Sequence, residues 1–432
     1  MLFRSPLLGA SPVGNITEVL GLSGEQQVEL LAVIRQYNLP LQFPPQVLQE
    51  IESVSSTIEN TEIANRLDLR ILYTFTIDPV SAKDFDDAIS IEKMGSGWRL
   101  WVHIADVSHY LKTSSSAFKE ALLRGNSFYF PKKVIPMIPE RLSNLICSLR
   151  PDEDKLCLSV ITDFDDLGNV INQSIHESII RSNIRLTYRE VDDFFNGVNA
   201  DLPHTLHSSL NDGRELSSIL SKKRIREGYV FFDLPDVEYE YDQEGFVRRI
   251  EVSEETESHK LIENFMLVAN EFVASKLNSK CQLAVFRIHE NPDPEKISRV
   301  CNLLRIYGIE INPHNDPNKF VQNILSALPN DDFHIVFDKI VLRSMKKAKY
   351  SPRCSRHFGL SIECYTHFTS PIRRICDLVV HHMCKQVLIH NRVREFDDQQ
   401  LKMIAEIASE RESLADSRSE EHTSELQSPN TI

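Results

Sequence analysis

Four carboxylates crowd into ten positions of the segment Thr76-Ile-Asp-Pro-Val-Ser-Ala-Lys-Asp-Phe-Asp-Asp87, namely Asp78, Asp84, Asp86 and Asp87. Strand-like runs lie on either side of it, so the anions collect at strand ends. Like charges held this close repel, and the arrangement costs stability unless cations neutralise it. Hard oxygen donors of this kind suit Mg2+ or Mn2+ and suit neither zinc nor copper. Two such ions ~3.5–4 Å apart would clamp the attacking and leaving oxygens of a phosphodiester. A solvated acidic loop is the competing reading of the run taken alone, since Asp is common in turns. An EF-hand is excluded, because the loop glycine and the distant Glu ligand do not fit.

The rest of the chain reads as one large α+β domain. Leu72 to Ile77, Trp98 to Ile104 and Leu156 to Phe164 combine β-branched and aromatic residues in strand-length runs, and Gly95-Ser-Gly97 supplies a hairpin turn. Helical candidates are 24–36 and 45–54 near the start, then 190–196, 215–226, 258–277, 294–307, 377–389 and 397–414. A short strand is expected around Asn15 to Leu20. With 432 residues, 41% of them hydrophobic, the chain can bury a sizeable core.

The charge balance, 48 − 62 = −14, argues against a surface that is basic all over but leaves room for a local basic groove. Arg343-Ser-Met-Lys-Lys-Ala-Lys-Tyr-Ser-Pro-Arg-Cys-Ser-Arg-His357 is such a segment. Beside it, His367-Phe-Thr-Ser-Pro-Ile-Arg-Arg-Ile-Cys-Asp377 places paired arginines after a Ser-Pro turn, where a guanidinium could meet a phosphate. The eight cysteines show no Cys-x-x-Cys spacing and read as reduced, mostly core thiols of a cytosolic protein. No apolar run approaches the ~20 residues of a membrane span, and no signal peptide opens the chain. A cytoplasmic protein is expected.

Taken together, these motifs resemble the catalytic domain of the ribonuclease II/ribonuclease R (RNB) family of exoribonucleases, with wording nearer to bacterial ribonuclease R. The resemblance runs from about Arg70 to Arg411. It includes Trp101-Val-His-Ile-Ala-Asp-Val-Ser108, Tyr129-Phe-Pro131, Ile135-Pro-Met-Ile-Pro139, Cys147-Ser-Leu149, Arg185-Leu-Thr-Tyr188, Phe286-Arg-Ile-His289 and His357-Phe-Gly-Leu360. It implies a single RNB catalytic domain, a mixed β-sheet core with surrounding helices, over residues 65–417. It implies processive 3′→5′ hydrolysis of single-stranded RNA to nucleoside 5′-monophosphates by a monomer, with no DNA or membrane partner. Asp78, Asp84, Asp86 and Asp87 are expected to hold two Mg2+ ions, with Mn2+ a possible substitute, and Arg373 to contact the scissile phosphate. Tyr129, Phe232, Tyr188 and Glu263 are expected near the terminal nucleotides. The alternatives are a catalytically silent RNA-binding homologue and an unstable gene fragment, whose cut last helix would expose Ile404 and Ile407.

Two departures stand out. Ile375 and His382 occupy positions where the family usually has Tyr and Arg. The ends also look foreign. Residues 1–5 and Arg418-Ser-Glu-Glu-His422 can be encoded by opposite strands of one sequencing-library adapter, and 418–428 carry no helical or strand period. The expected layout is therefore adapter-like residues at 1–5 and 418–432, a remnant of a cold-shock-type OB-fold with linker helices at 6–60, and a missing S1 domain.

Overall fold

A computed structural model describes residues 16–22, 26–130, 133–198, 202–232, 236–241, 247–253, 255–328 and 334–426. Residues 1–5, Pro131 and 427–432, named above, lie outside the described residues. The chain divides into two units, one of residues 1–43 with 238–251 and one of 44–237 with 252–432. The first contains helix α1 (Gln26–Gln36). Its residues 16–20, where a strand was expected, form no regular element.

Along the rest of the chain come α2 (Pro45–Glu52), α3 (Asn60–Ala64), β1 (Leu67–Asp68), β2 (Phe75–Asp78), β3 (Asp87–Met94) and β4 (Gly97–Ala105). Then follow α4 (Val107–Tyr110), α5 (Ser116–Arg124), β5 (Phe128–Phe130), β6 (Lys133–Ile135), a π-helical segment Arg141–Ile146, β7 (Asp154–Phe164), β8 (Val170–Arg181) and β9 (Ile184–Thr187). The remainder is α6 (Tyr188–Phe195), α7 (His204–Glu227), β10 (Asp236–Tyr241), β11 (Val247–Ser253), α8 (Glu257–Cys281), β12 (Leu283–Ile288), α9 (Pro294–Ile306), α10 (Pro317–Ser326) and α11 (His334–Ser344). β13 (Lys349–Arg353), α12 (Ile375–Met383), a second π-helical segment Cys384–Ile389 and α13 (Asp398–Leu426) complete it.

Among the described residues, seven strands form one mixed sheet in the order β1-β8-β7-β4-β3-β2-β9. The β1–β8 and β2–β9 pairs are parallel and the others antiparallel. The expected hairpin joins β3 to β4, with Gly95 in the left-handed region at φ 64° and Met94 opposite Gly97. Gly97 has no room for a side chain, because a Cβ there would lie 1.9 Å from the Phe164 carbonyl oxygen. Helices pack around this sheet, and every residue of α12 is buried. Both of its histidines are held inside the core by one ring nitrogen, His381 Nε2 by the Phe368 carbonyl and His382 Nε2 by that of Leu111, while His381 Nδ1 is buried without a hydrogen-bond partner. The departures Ile375 and His382 are thus core positions.

Several sequence expectations shift at their edges for local reasons. The strand expected from Leu72 begins only at Phe75, because the Thr74 amide is taken by the Asn183 side chain. The helix expected at Glu190 starts at Tyr188, since Thr187 and Glu190 form a reciprocal capping box. The last helix runs on to Leu426, through residues that lack a helical period. Ile404 is buried and Ile407 half-buried, so the exposed apolar surface expected of a cut helix is not found there. The reason is tertiary: α13 lies against β12 and β13, with the Ser409 hydroxyl accepting the Tyr350 amide and Arg287 paired with Glu412. The cysteine reading is corrected as well. Cys354 and Cys364 are joined by a disulfide across the turn closed by the His357–Ile362 bridge, while the other six cysteines are free.

A buried ion cluster ties the far ends of this unit together. Asp106, at the N-cap of α4, meets Arg66 at 2.8 Å and Lys385 at 2.9 Å. Burial alone would push the Asp106 carboxyl up, but Lys385 and Arg66 hold it well below the usual carboxylate range. A carboxyl depressed in the folded state contributes stability above its unfolded value, and that contribution is lost as pH falls through the folded value. Asp106→Asn is therefore expected to cost about 3–5 kcal/mol at pH 7 in urea unfolding, with the gap to wild type narrowing below about pH 4.

Candidate active site

The acidic loop is shaped by its strand ends. β2 stops at Asp78 and β3 starts at Asp87, so residues 79–86 leave and re-enter the same end of the sheet. Ser148 pins the loop from outside: its hydroxyl donates to the Lys83 carbonyl at 3.0 Å and accepts the Phe85 amide at 3.0 Å. The Leu149 amide adds a bond to the Phe85 carbonyl, and the Ala105 amide one to that of Asp86. Arg185 donates to the carbonyls of Pro79 and Val80 and lies over the Phe85 ring.

Asp86 is the link between this loop and the downstream cluster. Its Oδ1 accepts the Ile372 amide at 2.9 Å, and its Oδ2 lies 3.6 Å from Arg373 Nε. The two paired arginines have separate jobs. Arg374 turns inward to a buried bond with Asp377 at 2.8 Å, and Asp377 also accepts the Ser370 amide. Arg373 keeps 46% of its side chain exposed beside the aspartates.

The electrostatics of the site are unfavourable without a counter-ion. Burial pushes Asp86 well above the usual range despite Arg373 and the Ile372 amide. Burial pushes Asp78 up to about 6 and Asp87 up to about 7, with neighbouring carboxylates adding to both. Asp78 Oδ2 is buried with no hydrogen-bond partner. An orphaned carboxylate oxygen among hard anionic donors is the arrangement a divalent cation such as Mg2+ or Mn2+ would complete. Among the described residues, the set whose ligand atoms all converge within 4.8 Å is a different one, His367, Cys376 and Asp377. That trio is already satisfied, His367 by the Tyr350 hydroxyl at 2.7 Å and Asp377 by Arg374.

Of the other expected residues, Tyr129 is 52% exposed and donates its hydroxyl to Asp84 at 3.0 Å. Tyr188 comes to the site through register: Asp78 is paired with Thr187 across β2 and β9, and Tyr188 is the next residue. Burial, with the charges of Asp87 and Asp78, pushes its phenol up, so it keeps its proton. Phe232 and Glu263 make their contacts elsewhere. Phe232 is half-buried against an apolar cluster that includes Val230 and Leu328, while the more exposed ring is Phe231, with Lys260 above it. Glu263 accepts the Tyr229 hydroxyl at 3.2 Å. Sequence reasoning missed Ser148 and Arg185 as loop supports, although both sit in motifs quoted above. It also missed His259, which carried no local signal.

The chain belongs to the RNB family: the RNB domain matches residues 66–390, and a cold shock domain matches residues 4–44. Two curated relatives are both ribonucleases R. That of Aquifex aeolicus is 41% identical over 380 residues, covering 87% of this chain and 54% of the relative. Ribonuclease R 1 of Lactococcus lactis is 36% identical over 411 residues, covering 93% and 50%. Among solved structures, Mycoplasma genitalium RNase R in complex with ribose methylated single-stranded RNA has a TM-score of 0.89 at 27% identity, covering 95% of this chain and 65% of that one. The chain spans about half the length of the curated relatives it matches. The expected α+β fold and family are the ones found.

The raised carboxyls give a testable linkage. A carboxyl whose folded value is raised costs stability as pH climbs above its unfolded value, and the full cost is reached once pH exceeds the folded value. The metal-free protein should therefore lose stability between about pH 4 and pH 7 through Asp78 and Asp87. Mg2+ should raise the thermal midpoint several-fold more at pH 8 than at pH 5. An equal rise at both pH values would show that these carboxylates do not hold the ion.

Proposed function

We propose that this chain is the catalytic part of a divalent-metal-dependent 3′→5′ exoribonuclease that releases nucleoside 5′-monophosphates from single-stranded RNA in the cytoplasm. The observation that carries the reading is the half-exposed Arg373 guanidinium, held beside buried Asp86 in a cluster of four aspartates. Fold alone would not decide chemistry, because one fold can host active and silent members. Retention of all four aspartates and Arg373 favours catalysis over a silent RNA-binding homologue. Among the described residues, no helix is long and apolar enough to cross a membrane.

Asp78, Asp84, Asp86 and Asp87 would hold the ions, two Mg2+ being the expected complement. When bound, Mg2+ supplies charge neutralisation and a more acidic water at the phosphodiester. Arg373 presents fixed donors to the non-bridging phosphate oxygens, where negative charge grows during hydrolysis. The Asp86 carboxylate at 3.6 Å and the Ser370 hydroxyl at 3.1 Å keep the Arg373 guanidinium from swinging away. Tyr129 and Tyr188 offer ring faces on which unpaired bases can stack, a contact that tolerates any sequence. Discrimination against DNA would come from contacts to the 2′-hydroxyl. The reading takes the active species to be a monomer.

Asp86→Asn keeps an oxygen to accept the Ile372 amide but removes the charge. It should lower turnover of labelled single-stranded RNA by at least about a thousandfold while binding changes only a few-fold. Arg373→Ala should lower kcat roughly 10²–10³-fold. Binding without nucleotide release by the wild type, with Mg2+ present, would instead establish the silent homologue.

A further inference from the structure

Neither the family motifs nor the carboxylate chemistry gives His259 a task, yet its ring lies flat on Tyr188, with centroids 3.9 Å apart and planes 12° from parallel. A tyrosine at the first turn of a helix has two soft side-chain torsions, and a close parallel neighbour on one face restricts both. The imidazole is itself held: Nδ1 lies 2.7 Å from the Thr256 hydroxyl at the N-cap of α8.

The same turn of α8 grips α6 at a second point. Ser258 donates to Asp192 from its amide at 3.1 Å and its hydroxyl at 2.8 Å. Tyr188 and Asp192 are four residues apart, so they share one face of α6. Two adjacent residues of α8 thus hold the helix face that carries Tyr188, next to the strand end that carries Asp78.

We propose that His259 is a positioning residue: by stacking on Tyr188 it fixes the ring that receives the 3′-terminal nucleotide of the RNA. This rests on the exoribonuclease reading above. His259 acts through Tyr188 and does not touch the scissile bond. The property required is a flat ring of the right size, so phenylalanine should replace it and a branched aliphatic side chain should not.

The test compares wild type, His259→Ala, His259→Leu, His259→Phe, Tyr188→Ala and the His259→Ala/Tyr188→Ala double variant. One arm measures Mg2+-dependent mononucleotide release from labelled single-stranded RNA, and the other measures equilibrium binding of the same RNA without divalent metal. His259→Ala should raise KM roughly tenfold with kcat within about threefold, and His259→Phe should stay within about twofold of wild type. The double variant should be no worse than Tyr188→Ala alone, since both act through one ring. His259→Leu keeps the volume without the flat face and replaces the alanine variant if that one fails to fold. Wild-type kinetics in His259→Ala, equal loss in His259→Phe and His259→Leu, or additive losses in the double variant would each overturn the proposal. Should the wild type release no mononucleotide, the exoribonuclease reading fails. The binding arm then decides the role of His259 alone, with the same ranking of Kd expected and an unchanged Kd in His259→Ala overturning it.

Discussion

One side chain, Asp86, has to satisfy two requirements that pull against each other. Its carboxylate is the only described hydrogen-bonding bridge between the 79–86 loop and the turn before α12, accepting the amide of Ile372 from 286 residues away and facing Arg373. To make those contacts it must be buried, and burial beside Asp84 and Asp87 drives it toward the uncharged form. The surrounding structure exists to hold it there. Ser148, Leu149 and Ala105 fix the loop backbone, Arg185 caps its outer bend, and the Arg374–Asp377 pair anchors the turn that presents Arg373. Removing that scaffold would let the like charges separate, and with them the site.

The stability of the rest of the unit makes this tension tolerable. The buried cluster of Asp106 with Arg66 and Lys385 joins the residue before β1, the end of β4 and the segment after α12, at a distance in sequence of 279 residues for Asp106 and Lys385. Glu177 supplies the second carboxylate, at 2.8 Å from Lys385 and 3.5 Å from Arg66, so two anions meet two cations, and Ser108 donates to the remaining Asp106 oxygen at 2.6 Å. The carboxylate cluster is the opposite, with an orphaned Asp78 oxygen and raised carboxyls. One unit therefore holds two buried charge groups with opposite accounts. The first is closed and holds the fold together, and the second is the one that the proposed function assigns to a cation.

How much of this was legible in the sequence depends on the range of the interaction. The strands around the acidic run, the Gly95-Ser-Gly97 hairpin and the crowding of Asp78, Asp84, Asp86 and Asp87 are local patterns, and each was readable from spacing and residue type. Spacing alone did not separate Arg373 from Arg374, and only the family resemblance singled out Arg373, because their roles are set by Asp86 and Asp377 in the folded chain. Tyr188 too was expected at the site only through the resemblance, since its place beside Asp78 depends on the parallel register of β2 and β9. The disulfide between Cys354 and Cys364 escaped for the same reason: ten residues apart, the two meet only because His357 and Ile362 pair between them. The burial of Ile404 likewise depends on β12 and β13, which a reading of the last helix by itself does not contain.

The central claim is that the four aspartates form a divalent-cation site whose raised carboxyls must give up protons when the ion binds. Calorimetric titration of Mn2+ into the metal-free protein near pH 6.5, in two buffers of different ionisation enthalpy, tests it directly. The account predicts saturable binding whose heat differs between the buffers in the sense of net proton release, lost in Asp86→Asn. Binding that is absent, or whose heat is the same in both buffers, would contradict it.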